Sequence, residues 1–316
     1  MDEKNSTINY NFLEKYFTLI LKLKQVISNV GVNIDYINNL FFNIEYITYI
    51  CVGHGVSFFK YYLYKDYYGP NNFDKLLIPN SEKLFSIPLK YGWKEENLIK
   101  LNLPRWDKFN VESISLNDKR NITSKSIFIM FTWRVIANHK KISSYYINNI
   151  MNLINHEQLI NNLLKHNLTL YFTLHHQLLN FKDKFKSINS IEYIEENDIA
   201  ECLSKTNLLI TDYSSIIFDM IYRKKPYIIY IPDSDDKNIK TIYKKESYDI
   251  INKFQTNYFQ FKNVYFDINS TINKIKYYID NGFRLEPKLE DFYDEFEFKK
   301  KNNTNEFINY ILKLKR

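Results

Sequence analysis

The chain has 316 residues, of which 45% are hydrophobic and 25% are charged, and its formal charge is +7 at pH 7. This composition excludes a disordered or fibrous chain, and the length allows two domains of ordinary size. The positive charge favours an anionic partner such as nucleic acid, an acidic lipid surface or a phosphate-rich substrate, without selecting one of them.

The first predicted element is a helix. Apolar residues at helical spacing between Phe12 and Ile27 predict an amphipathic helix within the first forty residues. Packing against the protein body and docking on a membrane surface are both open for this helix.

Short apolar strands alternate with helices along the rest of the chain. Helices are predicted at 144–165, 198–205 and 214–223, and this βαβ order indicates a parallel sheet. Continuous apolar runs, rather than alternating ones, fit strands that are buried on both faces. The predicted strands are residues 46–52, 76–79, 126–131, 168–174, 207–211, 226–231 and 264–266.

A polar stretch at 111–125 marks the predicted domain boundary. The sequence therefore predicts an α/β protein with a smaller, abbreviated first domain, residues 1–115, and a doubly wound second domain, residues 116–316. Ligands bind beyond the carboxyl ends of the strands in such sheets, so catalytic and binding residues are expected at those ends.

Histidines follow two of the predicted strands. Glycines flank His54, which lets the backbone turn sharply and leaves room for a ligand. A neutral imidazole can take a proton from an attacking hydroxyl, so His54 is a candidate general base, and Lys60 is a candidate phosphate contact. The other strand ends at His175 and His176, whose side chains point to opposite sides; His175 is preferred and His176 is the alternative. A structural or solvated role is the alternative for each of these residues.

Two arginines also follow predicted strands. Arg105 lies in the Leu-Pro-Arg-Trp-Asp segment at 103–107, and Arg134 lies in the Thr-Trp-Arg segment that begins at Thr132. A guanidinium group suits bidentate contact with a phosphate, so both arginines are candidate substrate ligands. Surface ion pairing is the alternative for either one.

A polar turn follows the predicted strand at 207–211. Ser214 is a natural helix N-cap, and a helix start that carries the hydroxyls of Ser214 and Ser215 offers hydrogen-bond donors to a phosphate. Asp212, at the strand end, is a candidate ligand for a ribose or polyol hydroxyl, or a residue that orients another donor. A capped turn without a ligand is the alternative.

In this order the segments resemble the motif series of the CDP-glycerol glycerophosphotransferase family, the polymerases and primases of teichoic acid and related capsules. The most specific match is the Thr-Asp-Tyr-Ser-Ser-x-x-Phe-Asp string from Thr211 to Asp219. The resemblance implies a GT-B-like fold of two Rossmann-type domains with a parallel sheet in each. It also implies that the second domain holds the donor nucleotide, that the first is on the acceptor side, and that the active site is in the cleft between them.

The resemblance implies roles for the candidate residues as well. His54 and His175 would be the paired catalytic histidines, and Arg134 would neutralise the donor diphosphate. The donor would be CDP-glycerol or CDP-ribitol, and the acceptor a hydroxyl of a polyol-phosphate polymer or polysaccharide. No carboxylate cluster indicates an obligatory metal, although magnesium would help with a diphosphate. The other candidate substrate ligands are Lys60, Arg105, Thr132, Thr211, Asp212, Ser214, Ser215 and Asp219.

Two other functions stay open: a glycosyltransferase of the same fold, and a non-catalytic protein that binds an anionic polymer. Nucleic acid is not a predicted partner, because the basic residues are scattered and no binding motif is present.

Cys51 and Cys202 match neither a disulfide framework nor a zinc site, and no secretory signal or membrane-spanning run is visible, so a cytoplasmic location is expected. Basic runs such as 313–316 also favour peripheral association with the inner face of the plasma membrane.

Overall fold

The computed structural model describes most of the chain from residue 69 onward and shorter pieces before it. Two compact units are present. The first comprises residues 1–56, 61–103 and 304–316, and the second comprises residues 57–60 and 104–303. The predicted domain boundary at residues 115 and 116 lies outside the described residues and stays a prediction. The described residues are 25–28, 48–52, 56, 58–59, 69–109, 125–132, 134, 144–181, 191–256, 259–299 and 302–314.

The first unit is built on a four-stranded parallel sheet with the strand order β1-β2-β3-β4. Its helix α1 spans Glu82–Leu89, and a 3-10 turn spans Glu95–Asn97. Trp93 and Phe73 pack with apolar residues of the strands to form its core. The strands are β1 (Gln25–Ser28), β2 (Thr48–Cys51), β3 (Lys75–Ile78) and β4 (Leu98–Lys100).

The helix predicted for the first forty residues is wrong at residues 25–28. Val26 and Ile27 lie in β1, where they pair in parallel with Tyr49 and Ile50 of β2. Parallel pairing with β2 overrides the helical spacing of this segment, and valine and isoleucine are residues that favour strands. The remainder of that predicted helix lies outside the described residues.

The second unit contains a six-stranded parallel sheet, and its topology locates the expected ligand site. From one edge to the other the strand order is β7-β6-β5-β8-β9-β10. In chain order this is the arrangement of two mononucleotide-binding halves, whose topological switch point lies between β5 and β8. The strands are β5 (Ser126–Phe131), β6 (Thr169–Leu174), β7 (Ile191–Tyr193), β8 (Leu208–Thr211), β9 (Tyr227–Tyr230) and β10 (Val264–Tyr265).

Helices connect these strands. The predicted helix at 144–165 is two helices, because His156 takes an extended conformation between them. In this unit 3-10 turns span Pro104–Phe109, His176–Phe181 and Glu196–Asp198. The helices are α2 (Ser144–Ile154), α3 (Glu157–Lys165), α4 (Ile199–Lys205), α5 (Ile217–Arg223), α6 (Ile239–Ile242), α7 (Lys245–Gln255), α8 (Ile268–Asp280), α9 (Pro287–Asp294) and α10 (Asn303–Lys313), the last of which continues into the first unit.

Burial explains why the central strands were predictable from their sequence. Every residue of β8 and β9 is buried, and Ile129, Ile210 and Ile228 have no exposed surface. These continuous apolar runs confirm strands that are covered on both faces. Within the described part of the chain, no helix has the length and apolar character needed to cross a membrane.

Candidate active site

Strand register brings most of the predicted site residues of the second unit to one edge of the sheet. Phe131 of β5 pairs with Leu174 of β6, and Met130 of β5 pairs with Thr211 of β8. The segments that begin at Thr132, His175 and Asp212 therefore leave the sheet side by side, around the switch point. This is the position where open parallel sheets bind ligands.

Arg134 lies at the centre of a buried ion network at this edge. Its Nε and Nη2 donate to the two carboxylate oxygens of Asp233, both at 2.7 Å. Its Nη1 donates to Asp212 and to the carbonyl oxygen of Thr132. Arg134, Asp212 and Asp233 have no exposed surface. The guanidinium bonds described here are therefore internal, and the predicted diphosphate contact gains no support from this geometry.

Aromatic rings enclose the same guanidinium. The Arg134 Cζ atom lies 4.3 Å from the centre of the Tyr146 ring and 4.5 Å from that of the Tyr213 ring. Burial by itself lowers the pKa of Arg134, but Asp233 and the other anionic neighbours outweigh it and raise that pKa well above its ordinary value. Burial also raises the pKa values of Tyr146 and Tyr213. The network therefore keeps a fixed positive charge at its centre at any physiological pH.

The two threonines of the predicted site are also bonded internally. The Thr211 hydroxyl donates to the carbonyl oxygen of Met130 at 2.6 Å. The backbone N–H of Thr132 donates to Asp212 at 3.0 Å, which ties the segment after β5 to the segment after β8. Both threonines are buried, so they support the strand ends from within the protein.

The segment from Asp212 to Ser215, which we call the serine loop, leads from β8 into α5. Helix α5 begins at Ile217 with Ile216 at the cap position, three residues later than predicted, while the Ser214 hydroxyl accepts a bond from Ile216 N at 3.5 Å. Bonds from Ile217 N to Ser214 O and from Phe218 N to Ser215 O form a tighter turn before the helix. Ser214 and Ser215 are half-buried, which leaves part of their surface accessible to a ligand.

The histidine and lysine candidates differ in what the structure describes. His175 directly follows β6, is half-buried, and accepts a bond from Leu178 N at its carbonyl oxygen, 2.7 Å away. His54, Lys60 and the side chain of His176 lie outside the described residues. The choice between His175 and His176 therefore stays a prediction.

Arg105 and Asp219 form a second ion pair, on helix α5. Arg105 Nη2 lies 2.9 and 2.8 Å from the two carboxylate oxygens of Asp219. Trp106 Nε1 donates to the same carboxylate at 2.7 Å, and the Trp106 ring stacks on Tyr222 with 4.4 Å between centroids. Asp219 is 3% exposed, so its carboxylate anchors the Leu-Pro-Arg-Trp-Asp segment on α5.

We predict that Asp219→Ala destabilises the fold. The buried N–H of Trp106 loses its acceptor, so the free energy of unfolding should fall by about 2–3 kcal/mol. Asp294→Ala is the matched control, because its pair with Lys224 is exposed and should contribute less than about 1 kcal/mol. Urea denaturation of both variants measures the difference. Equal losses would contradict the anchoring role of Asp219.

The protonation of Asp219 sharpens this test. Burial raises the pKa of Asp219, and Arg105 and Trp106 offset only part of that effect. Because the folded pKa lies above the unfolded one, protonation favours the folded state, and the contribution of Asp219 to stability decreases as pH rises through the folded pKa. Asp219→Asn should therefore cost less stability at neutral pH than Asp219→Ala.

Three residues of the network were missed in the sequence. Asp233 follows β9 by three residues, so a search for carboxylates after every buried strand would have found it. Tyr146, whose hydroxyl donates to Thr132 O at 2.6 Å, lies inside α2 and gives no local signal. Tyr213 lies in the Thr-Asp-Tyr-Ser-Ser segment, in which only the polar residues were predicted to bind a ligand. Among the described residues, no three His, Cys, Asp or Glu side chains are grouped as metal ligands.

The two parallel sheets, one in each unit, define an α/β protein of the GT-B-like fold class. The solved structure of a variant of the Wall Teichoic Acid Polymerase TagF soaked with CDPG shares this fold, with a TM-score of 0.61 and 20% sequence identity. That match covers 92% of this chain and 71% of that one. The chain belongs to the family described as CDP-Glycerol:Poly(glycerophosphate) glycerophosphotransferase, which it matches over residues 1–313.

Two curated relatives are teichoic acid proteins of Bacillus subtilis. The Minor teichoic acid biosynthesis protein GgaB of Bacillus subtilis is 28% identical over 305 residues, which are 87% of this chain and 31% of that protein. The Teichoic acid glycerol-phosphate primase of the same organism is 27% identical over 229 residues, 66% of this chain and 58% of that protein. The chain thus spans less than two thirds of the length of both relatives.

Proposed function

We propose that this chain transfers glycerol phosphate or ribitol phosphate from a CDP-activated donor to a hydroxyl of a cell-surface polymer or its primer, releasing CMP. The family match over residues 1–313 is the observation that carries the proposal. The strand order of the second unit supports it, because the serine loop and His175 lie beside the switch point, where nucleotides bind in such sheets.

The proposed reaction is a direct displacement at phosphorus. The acceptor hydroxyl oxygen forms a bond to the β-phosphorus of the donor, and the bond from that phosphorus to the bridging oxygen breaks. CMP leaves with the electron pair of the broken bond, and the hydroxyl proton passes to a base on the enzyme. Positioning and neutralisation of charge should provide most of the rate enhancement, as in phosphoryl transfer generally.

Residues of the chain take distinct parts in this proposal. His54 is the proposed base, and His175 stabilises the charge that develops on the phosphate. The hydroxyls of Ser214 and Ser215 are the accessible donors of the serine loop, and Lys60 is a further proposed phosphate contact. Arg105 keeps its proposed phosphate contact in addition to its pair with Asp219.

A labelled donor tests the proposal directly. Purified protein is incubated with CDP-glycerol, CDP-ribitol and UDP-sugars that carry ³²P in the β-phosphate, with an acceptor oligomer and with either magnesium or EDTA. We expect label in the polymer and release of CMP from a CDP-polyol, with turnover retained in EDTA. Release of CMP without label in the polymer would contradict phosphotransfer. Release of labelled UDP from a UDP-sugar, with no reaction of the CDP-polyols, would favour a glycosyltransferase.

We also propose peripheral association with the inner face of the plasma membrane. The net charge of +7 and the basic residues near the carboxyl end support attraction to acidic headgroups. Each basic residue near such a surface contributes about 1 kcal/mol.

A further inference from the structure

The Arg134 network joins three loops that leave neighbouring strands of the second unit. Thr132 follows β5, Asp212 follows β8, and Asp233 follows β9, and each contributes at least one acceptor to the same guanidinium. These three strands are adjacent in the sheet. One side chain therefore fixes the spacing of three loops at the switch point.

Charge balance makes this arrangement depend on Arg134. One guanidinium faces two carboxylates, and none of the three side chains has exposed surface. Without the guanidinium, Asp212 and Asp233 would be two buried like charges with no cation between them, which costs far more than the loss of a surface pair. The loops would have to separate or admit water to relieve that repulsion.

The serine loop would move first, because it is continuous with Asp212. Ser214 and Ser215 follow this aspartate by two and three residues. Tyr213, which lies between Asp212 and Ser214, packs its ring on the guanidinium. A change at Arg134 is therefore transmitted to both hydroxyls through the backbone. Arg134 itself is fully buried and has no surface with which to meet a ligand.

We infer that Arg134 is a positioning residue for donor binding, which balances the charges of Asp212 and Asp233 and thereby fixes the serine loop without touching the donor. This inference deepens the proposed function and rests on it for the choice of ligand. It replaces the direct diphosphate contact that the sequence predicted for Arg134.

Charge-restoring variants test the inference. In Arg134→Met, the affinity for CDP-glycerol, measured by calorimetry, should fall on the order of tenfold to a hundredfold, because the loop loses its geometry. The double variant Arg134→Met/Asp233→Asn removes one unbalanced carboxylate, so it should regain about threefold in affinity and part of the lost Tm. Asp233→Asn alone should weaken donor binding. A direct contact predicts the reverse, namely a double variant no better than Arg134→Met, and unchanged or tighter binding in Asp233→Asn.

Arg223→Met is the matched control. Arg223 is 7% exposed and donates to the carbonyl oxygens of Leu203, Ser204 and Thr206, at the end of α4. This variant should lose Tm but keep its donor affinity within about twofold, because its bonds are to residues that precede β8, whereas the serine loop follows that strand. An affinity loss equal to that of Arg134→Met would overturn the inference, since it would show a general effect of removing a buried arginine.

The test also covers a variant that does not fold and a protein that does not bind the donor. If Arg134→Met fails to fold, donor affinity is measured in Arg134→Lys and Asp233→Asn instead. Both should bind the donor more weakly, because lysine keeps the charge but cannot bond both aspartates in the same geometry. If the wild-type protein binds no CDP-polyol, the proposed function fails and the Tm comparison remains. A Tm of the double variant at or below that of Arg134→Met would then overturn the charge-balancing role.

Discussion

Replacement of His54 by alanine is expected to abolish turnover while donor binding is kept. Removing a general base costs about 10²- to 10⁴-fold in rate, because the attacking hydroxyl must then lose its proton to water. An interaction that acts mainly in the transition state lowers kcat and leaves ground-state affinity nearly unchanged, so the Kd for CDP-glycerol should stay within about tenfold. Single-turnover release of CMP and calorimetric donor titration measure the two quantities separately.

Two further histidine variants make this result interpretable. His175→Ala should also lower kcat, because its imidazole is proposed to stabilise the charge on the transferred phosphate. His166→Ala is the control, because His166 lies at the end of α3, where its Nε2 is 4.0 Å from Asp280, and has no proposed part in the reaction. Turnover retained by His54→Ala would end its assignment as the base.

The largest expected loss of stability follows from Trp106→Ala. The indole has no exposed surface, stacks on Tyr222, and lies 4.9 Å from the Phe298 ring between centroids. Truncation leaves a large cavity and removes the N–H that donates to Asp219, so the free energy of unfolding should fall by about 3–5 kcal/mol. Urea denaturation gives the change.

Controls separate the contributions of ring and N–H group. Trp106→Phe keeps most of the ring and should lose only about 1–2 kcal/mol, largely from the lost hydrogen bond. Tyr277→Ala removes an aromatic side chain that is 43% exposed, and it should change stability by no more than about 1 kcal/mol. Wild-type stability in Trp106→Ala would show that the indole does not support the fold.

The sequence by itself determined the parallel sheet of the second unit. The predicted strand at 126–131 coincides with β5, and the predicted strands at 207–211 and 226–231 contain β8 and β9. These strands can be predicted from the sequence because each is a continuous apolar run. Such a run indicates a strand buried on both faces, whichever strands lie beside it. The family was also readable, because ordered motifs are a property of the chain.

Strands and helix ends with weak local signals were not readable. Strands β1 and β7 contain no run of more than two apolar residues and depend on pairing with a neighbour. The start of α5 depends on the turn bonds of Ser214 and Ser215, which a list of capping preferences does not contain. Both depend on contacts made after the chain has folded.

Only the tertiary structure decided what the polar residues do. Arg134 and Asp233 are 99 residues apart in sequence, and Arg105 and Asp219 are 114 apart, yet both pairs are bonded. Residue type shows that an arginine is able to bind either a phosphate of a ligand or a carboxylate of the protein itself. The choice between them follows from strand order, which sets the charges that are buried together and must neutralise each other.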